Sequence, residues 1–200
     1  NVTATFQYNA AEANGASPSI SYSTNSGTTW QNPPAAGTSS FGANSFTITG
    51  TNPFNGWWTM GYRTYFSYQT GDWNTPSTWT SDPSGTLQLG NTVPGVNDLV
   101  VILSGRTVSL TSNVGSTTID LTINDGAYLD MKTFSFTSGL QALRGQGTLK
   151  LSSAAFPTAV TNSFVNAGGG TTEYNANITL PLAQTTYNNL KINTTGAVVQ

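Results

Sequence analysis

The second half of the chain runs in short bursts of alternating apolar and polar residues, each opening on a glycine. Gly105, Gly126, Gly147, Gly170 and Gly196 recur at intervals of about 21 to 26 residues, inside the window of roughly 20 to 50 residues that marks repeat architectures. The bursts read Arg-Thr-Val-Ser-Leu, Ala-Tyr-Leu-Asp-Met, Thr-Leu-Lys-Leu, Thr-Thr-Glu-Tyr and Ala-Val-Val. Most are preceded by a second strand-like fragment: Val101-Ile102-Leu103, Leu121-Thr122-Ile123, Phe164-Val165 or Leu190-Lys191-Ile192. The repeated unit is a strand, a glycine turn, a strand and a longer polar return. One such unit cannot bury its apolar side alone, so it must stack on a neighbour. The pattern predicts a parallel β-solenoid, right-handed by the chirality of parallel crossovers. Its interior is predicted to hold Val101, Leu103, Val108, Leu110, Leu121, Ile123, Leu129, Phe134, Leu149, Leu151, Phe164, Tyr174, Leu190 and Ile192.

The first part of the chain has a different rhythm. Val2 to Tyr8 alternates, Ala10 to Pro18 reads as a loop, and Ser19 to Ser23 is a short strand. Asn25-Ser26-Gly27 signals a turn before a strand restart at Thr28-Thr29-Trp30, which Pro33-Pro34 breaks. Ser45 to Thr49 and the aromatic stretch Phe54 to Tyr62 complete the set. Strands about every ten residues suggest an antiparallel sandwich. Between the two rhythms lie a strand-like Tyr65 to Tyr68, a loop with Trp73 and Trp79, and the turns Asp82-Pro83-Ser84-Gly85 and Pro94-Gly95. The fold class is therefore all-β. Residues 1–62 form a small antiparallel β-sandwich-like module, 63–95 a Trp-rich junction or cap, and 96–200 the parallel β-solenoid. No amphipathic helix is expected. Val198-Val199-Gln200 stops in mid-rung, so an internal segment, or the ordered part, of a longer secreted protein is expected.

Composition narrows the chemistry. Charged residues are 7% of the chain and the formal net charge is −2. No basic face can form against phosphates, which argues against nucleic acid as a partner. Aromatics at 11% supply a core in spite of the low charge. Cysteine and histidine are both absent, which removes disulfides, thiolate metal sites and the usual near-neutral acid–base group. No apolar stretch reaches the roughly 18 residues of a spanning helix, and no signal-peptide pattern is visible. A Thr/Asn-rich, lysine-poor, cysteine-free β protein fits the outside of a bacterium. Its uncharged polar surface suits neutral polymers better than charged ones.

Three candidate chemistries remain. A solenoid glycan-cleaving enzyme needs converging carboxylates; Asp98, Asp120 and Asp125 could meet in successive rungs, yet no Asp-x-Asp pair occurs and the basic residues are scattered. Turn capping explains the same acids. Calcium would draw hard oxygen ligands from Asn97, Asp98, Asn124 and Asp125, without an EF-hand or nonapeptide calcium spacing; turn chemistry is again the alternative. No other cofactor is suggested. Tryptophans offer a glycan platform at Trp57, Trp73 or Trp79. Trp57 and Trp58 are adjacent on a strand and point to opposite faces, and Trp73 and Trp79 fall where an open first rung needs an apolar cap.

The most specific stretch is Tyr68-Gln69-Thr70-Gly71-Asp72-Trp73-Asn74-Thr75-Pro76-Ser77-Thr78-Trp79, with Val93-Pro94-Gly95-Val96-Asn97-Asp98 and Val100 to Val108 after it. It resembles a pattern in very large secreted surface proteins of the Bacteroidota. These are adhesin-like substrates of the type IX secretion system, some tied to gliding motility. Gly168 to Asn175 followed by Tyr187-Asn188-Asn189-Leu190-Lys191-Ile192 resembles another element of their rungs, and Phe54-Asn55-Gly56-Trp57-Trp58 their small β domains. The resemblance implies a non-enzymatic stalk or adhesin on the surface of a Gram-negative bacterium. It also implies glycans or other surface polymers as partners, and export and anchoring machinery engaged through regions outside these residues. A carbohydrate-binding module and a polysaccharide-cleaving β-helix are the alternatives.

Overall fold

The computed structural model describes residues 2–7, 19–23, 37–41, 45–50, 57–61, 63–115, 118–181 and 183–194. Two compact units divide the chain, Asn1–Arg63 and Thr64–Gln200. The loop at Ala10 to Pro18, the turn at Asn25 to Gly27, the restart at Thr28 to Trp30, the break at Pro33-Pro34, Gly196 and the Val198-Val199 run lie outside the described residues.

The first unit contains β1 (Val2–Gln7), β2 (Ser19–Ser23), β3 (Gly37–Phe41), β4 (Ser45–Gly50) and β5 (Trp57–Gly61). β4 lies between β1 and β3 in an antiparallel sheet, with Phe6 and Phe41 both in register with Phe46. β2 pairs antiparallel with β5, Ser23 opposite Trp57. Thr5 and Thr47, opposite one another on β1 and β4, share a hydroxyl hydrogen bond of 3.2 Å. The alternation of β1 and β4 announces them; Gly-Thr-Ser-Ser-Phe in β3 carries no such signal.

The second unit is the solenoid. Its elements are β6 (Thr64–Ser67), β7 (Gly71–Asp72), a 3-10 turn (Pro76–Thr78), β8 (Trp79–Thr80), β9 (Leu99–Ile102), β10 (Thr107–Ser109), β11 (Asp120–Ile123), β12 (Tyr128–Asp130), β13 (Leu140–Gly145), β14 (Thr148–Leu151), β15 (Ala159–Asn162), β16 (Thr171–Tyr174) and β17 (Asn189–Ile192). They form two sheets of six strands. The first runs β15-β13-β11-β9-β6-β8 and the second β17-β16-β14-β12-β10-β7. Every pairing is parallel except β6 with β8. A parallel bridge between Val114 and Phe136 marks a third side of the coil. The protein is thus all-β, an antiparallel module followed by a parallel β-solenoid.

Local chemistry explains the corners. Gly105 and Gly126 turn the chain from the first sheet to the second with φ of 76° and 71°, a region that L side chains rarely enter. Gly147 plays the same part by close approach: a β carbon there would meet Ile123 Cγ2 at 2.5 Å and the Asn124 and Ala127 carbonyls. Inside, alternate residues stack in columns. Val100, Ile102, Val108, Leu110, Leu121, Ile123, Leu129, Leu149 and Leu151 are all fully buried, each worth about 1.5–3 kcal/mol relative to exposure.

The structure departs from the sequence reading in five places. The coils begin at Thr64, because β6 pairs parallel with β9 and β7 with β10; the junction is itself the first coil. Val100 and Ile102 fill the interior where Val101 and Leu103 were predicted, a slip of one residue that reverses faces. Phe164-Val165 is a turn, with Phe164 buried beneath Gly170, and β15 lies before it. Leu190 and Ile192 belong to the second sheet, paired with Thr172 and Tyr174, and are 43% and 40% exposed. Phe134 packs against the core only in part.

Candidate functional site

Of the predicted ligand tryptophans, Trp73 and Trp79 are 0% and 1% exposed. They meet edge to face at 5.0 Å, with Tyr65 at 6.4 Å from Trp79 and Phe136 at 5.3 Å from Trp73. The Trp79 indole N–H donates to the Trp73 carbonyl at 2.7 Å, and the Trp73 indole N–H is buried with no acceptor among the described residues. Neither ring offers a face to a sugar, so the platform reading is corrected for both. They are core residues of the first coil, and the signal for this was the open rung that needed closing. Trp57 lies in β5, and its side chain falls outside the described part of the structure.

The same coil is closed by β8, which turns back to pair antiparallel with β6 and occupies that edge of the first sheet. A dense set of hydrogen bonds holds it. Thr80 Oγ1 donates to the Leu87 carbonyl at 2.6 Å and accepts from the Asp82 and Leu89 amides at 3.0 Å each. Gln88 donates to the Trp79 carbonyl at 2.7 Å. Arg106 reaches back from the next coil and donates to the carbonyls of Ser67 and Gly85. The Asp82 carboxylate gathers the Ser84 hydroxyl and the amides of Ser84, Thr86 and Leu87. The Ser84 hydroxyl first, then the Leu87 amide, hold Asp82 far below the usual carboxylate range, against an opposing effect of desolvation.

The proposed calcium ligands do not converge. Asn97 and Asp98 precede β9, whereas Asn124 and Asp125 follow β11, the adjacent strand. The four-residue strand between those ends spans about 13 Å, far beyond the 2.3–2.6 Å reach of one shared ion. The Asn97 and Asp98 side chains are engaged within the protein. Asp98 is buried, and Oδ2 accepts the Gly95 amide at 2.7 Å. Asn97, at φ 63°, exchanges hydrogen bonds with Thr118 of the next coil. The Asn124 carbonyl accepts the Ala127 amide at 2.9 Å. Among the described residues no group of three or more His, Cys, Asp or Glu could hold a metal ion.

Asp120 does not meet Asp98 or Asp125 in a catalytic arrangement either. It faces outward and takes both prongs of Arg144, Nε at 2.9 Å and Nη2 at 2.6 Å. The hydrogen bond to Asp120 raises the Arg144 guanidinium above its ordinary value.

Sequence reasoning missed the outer face of the second sheet. Strand register places Ser109, Asp130, Lys150, Glu173 and Lys191 in one outward column. Its charges are engaged within the protein. Lys191 Nζ donates to Glu173 at 3.0 Å and Asn193 to the same carboxylate at 3.2 Å. Lys150 Nζ sits 4.7 Å from the centre of the Tyr128 ring, and the Lys132 amide donates to Asp130 at 3.0 Å. Burial would raise the Glu173 carboxyl, but the hydrogen bonds from Lys191 and Asn193 and the charges of Lys191 and Lys150 outweigh it and hold the group low. Alternation at Thr148-Leu149-Lys150-Leu151 could have revealed the column, once aligned with Thr171 to Tyr174.

No family model matches the chain, and no curated protein or solved structure matches it. Among the described residues, no helix is long and apolar enough to cross a membrane.

Proposed function

We propose that this chain is a non-enzymatic, structural and adhesive segment of a long extracellular surface protein. The observation that carries the reading is the parallel stack itself. Successive coils share one unbroken core, so each adds a fixed rise of about 4.8 Å along the axis and leaves two broad outer faces. That is the construction of a stiff spacer. The acids support a non-catalytic role, since Asp82, Asp98, Asp120, Asp130 and Glu173 are tied to turns, to amides or to bases. The junction pattern around Trp73 and Trp79 and the rung element around Tyr187 support a Bacteroidota surface protein exported by the type IX route, of the kind that includes gliding adhesins. Its partners on this reading are glycans or other neutral surface polymers, with the export and anchoring machinery engaged elsewhere.

Antibodies raised against residues 64–200 test the location. They should label intact, unpermeabilised cells that produce the parent protein. Labelling that requires permeabilisation overturns the extracellular reading.

A further inference from the structure

Beside the charged column on the second sheet runs another. Thr107 aligns with Tyr128, Tyr128 with Thr148, Thr148 with Thr171 and Thr171 with Asn189. Alternation places the first four side chains outward, since Val108, Leu129, Leu149 and Thr172 next to them are buried, and register carries Asn189 into the same column. The two columns differ in one respect. The charges of the first are spent on protein partners, as described above. The side chains of the second make no hydrogen bond to any described residue, although four of the five are partly exposed and Asn189 is exposed. Four hydroxyl-bearing side chains and a carboxamide therefore stand unspent on five successive strands, whose backbones lie about 4.8 Å apart and roughly 19 Å from first to last. The Lys150 ammonium over its ring holds Tyr128 in place.

We propose that the column Thr107, Tyr128, Thr148, Thr171 and Asn189 is a binding track for an extended, uncharged, hydroxyl-bearing polymer, a neutral polysaccharide laid across the strands. This rests on the adhesive reading above and gives it a face. Hydroxyls donate and accept, and so does a carboxamide; a polyhydroxylated chain matches both. The neighbouring column decides against a charged polymer. Asp130, Lys150, Glu173 and Lys191 alternate in sign and are already engaged, Glu173 buried against Lys191 and Lys150 set over the Tyr128 ring, so the face offers neither a polyanion nor a polycation a net charge to hold. Affinity comes from many weak contacts repeated along the polymer.

Native gels containing hydroxyethyl cellulose, or alginate as the anionic counterpart, test the track with the full chain. Hydroxyethyl cellulose should retard the protein and alginate should not. Thr107→Val with Thr148→Val and Thr171→Val keeps the strand-forming shape and should weaken the retardation on the order of tenfold. Tyr128→Phe, which removes one hydroxyl alone, should weaken it about threefold. Thr122→Val, on the outer face of the first sheet, should leave it unchanged. Far-UV circular dichroism and the thermal midpoint verify that each variant is folded. Retardation that survives both track variants overturns the track and leaves the adhesive reading standing. Stronger retardation by alginate, or none in either gel, also overturns it, and the cell-labelling experiment then decides the extracellular reading separately.

Discussion

The first coil and the later coils solve different problems with the same two sheets. In the later coils, partners on adjacent turns lie 18 to 24 residues apart, as between Glu173 and Lys191 or Asp120 and Arg144. In the first coil the spacing widens to 36 residues between Ser67 and Leu103 and to 37 between Thr70 and Thr107. The extra chain holds the 3-10 turn, β8 and the Asp82 turn. A repeating coil can rely on its neighbours for burial; a coil at one end of the stack cannot. The added chain supplies what a neighbour would have supplied: bulky aromatics below and an antiparallel strand along the open edge. At the other end, Leu190 and Ile192 of β17 sit in register with buried residues yet stay well exposed.

This contrast can be broken by substitution. Trp79→Ala should have the largest effect, a loss of about 3–5 kcal/mol, because the ring is fully buried between Trp73 and Tyr65 and its N–H closes the coil. Denaturant unfolding would measure it; a loss under about 1 kcal/mol would mean that the first coil is not a cap. Leu121→Ala, in the middle of the stack, should cost about 2–5 kcal/mol and so rank level with or just below the cap. A larger loss there than at Trp79 would show that the regular coils, rather than the end, limit stability.

Acid should sharpen the same contrast. The Glu173 carboxyl is held below its ordinary value of 4.5 when folded. A depressed carboxyl contributes stability that is present above the unfolded value and is lost as pH falls through the folded one. Stability should therefore decline below about pH 4.5, and Glu173→Gln should flatten that decline near β17. Hydrogen exchange of β16 and β17 across pH would report it, and an unchanged acid limb in Glu173→Gln would count against the account. The smallest effect belongs to Arg144→Ala. Its ion pair with Asp120 is partly exposed, so the loss should stay below about 1 kcal/mol and shrink with salt.

Much of this arrangement was legible in the residues, and the exceptions have physical causes. Alternation marked β10, β12 and β14 because each has one wet face and one dry face. It failed at Leu99-Val100-Val101-Ile102-Leu103, where every side chain is apolar and a period of two leaves no trace. Leu99, Val101 and Leu103 are half-buried on the outer face; the Gly85 turn lies against Leu103, where an added β carbon would come within 2.5 Å of its Cδ1. That covering depends on the first coil's insertion, which local pattern does not encode. The tryptophans were legible as residues with a large apolar area to hide. The acids of the calcium reading were legible only as residue types, and register alone shows that Asp98 and Asp125 sit at opposite ends of adjacent strands. The hydroxyl column was invisible for the same reason: its members are far apart in the chain and meet only through the stacking.

Stacking in parallel register is the claim on which all of this depends, and the absence of cysteine makes it directly measurable. Thr148→Cys with Thr171→Cys places two thiols on adjacent strands of one outer column, within the 4.4–6.8 Å Cα separation that a disulfide needs. This pair should oxidise in air to a single intramolecular cross-link, while Thr148→Cys with Thr172→Cys, whose side chains point to opposite faces, should not. Cross-linking of the second pair in preference to the first would contradict the parallel coil stack.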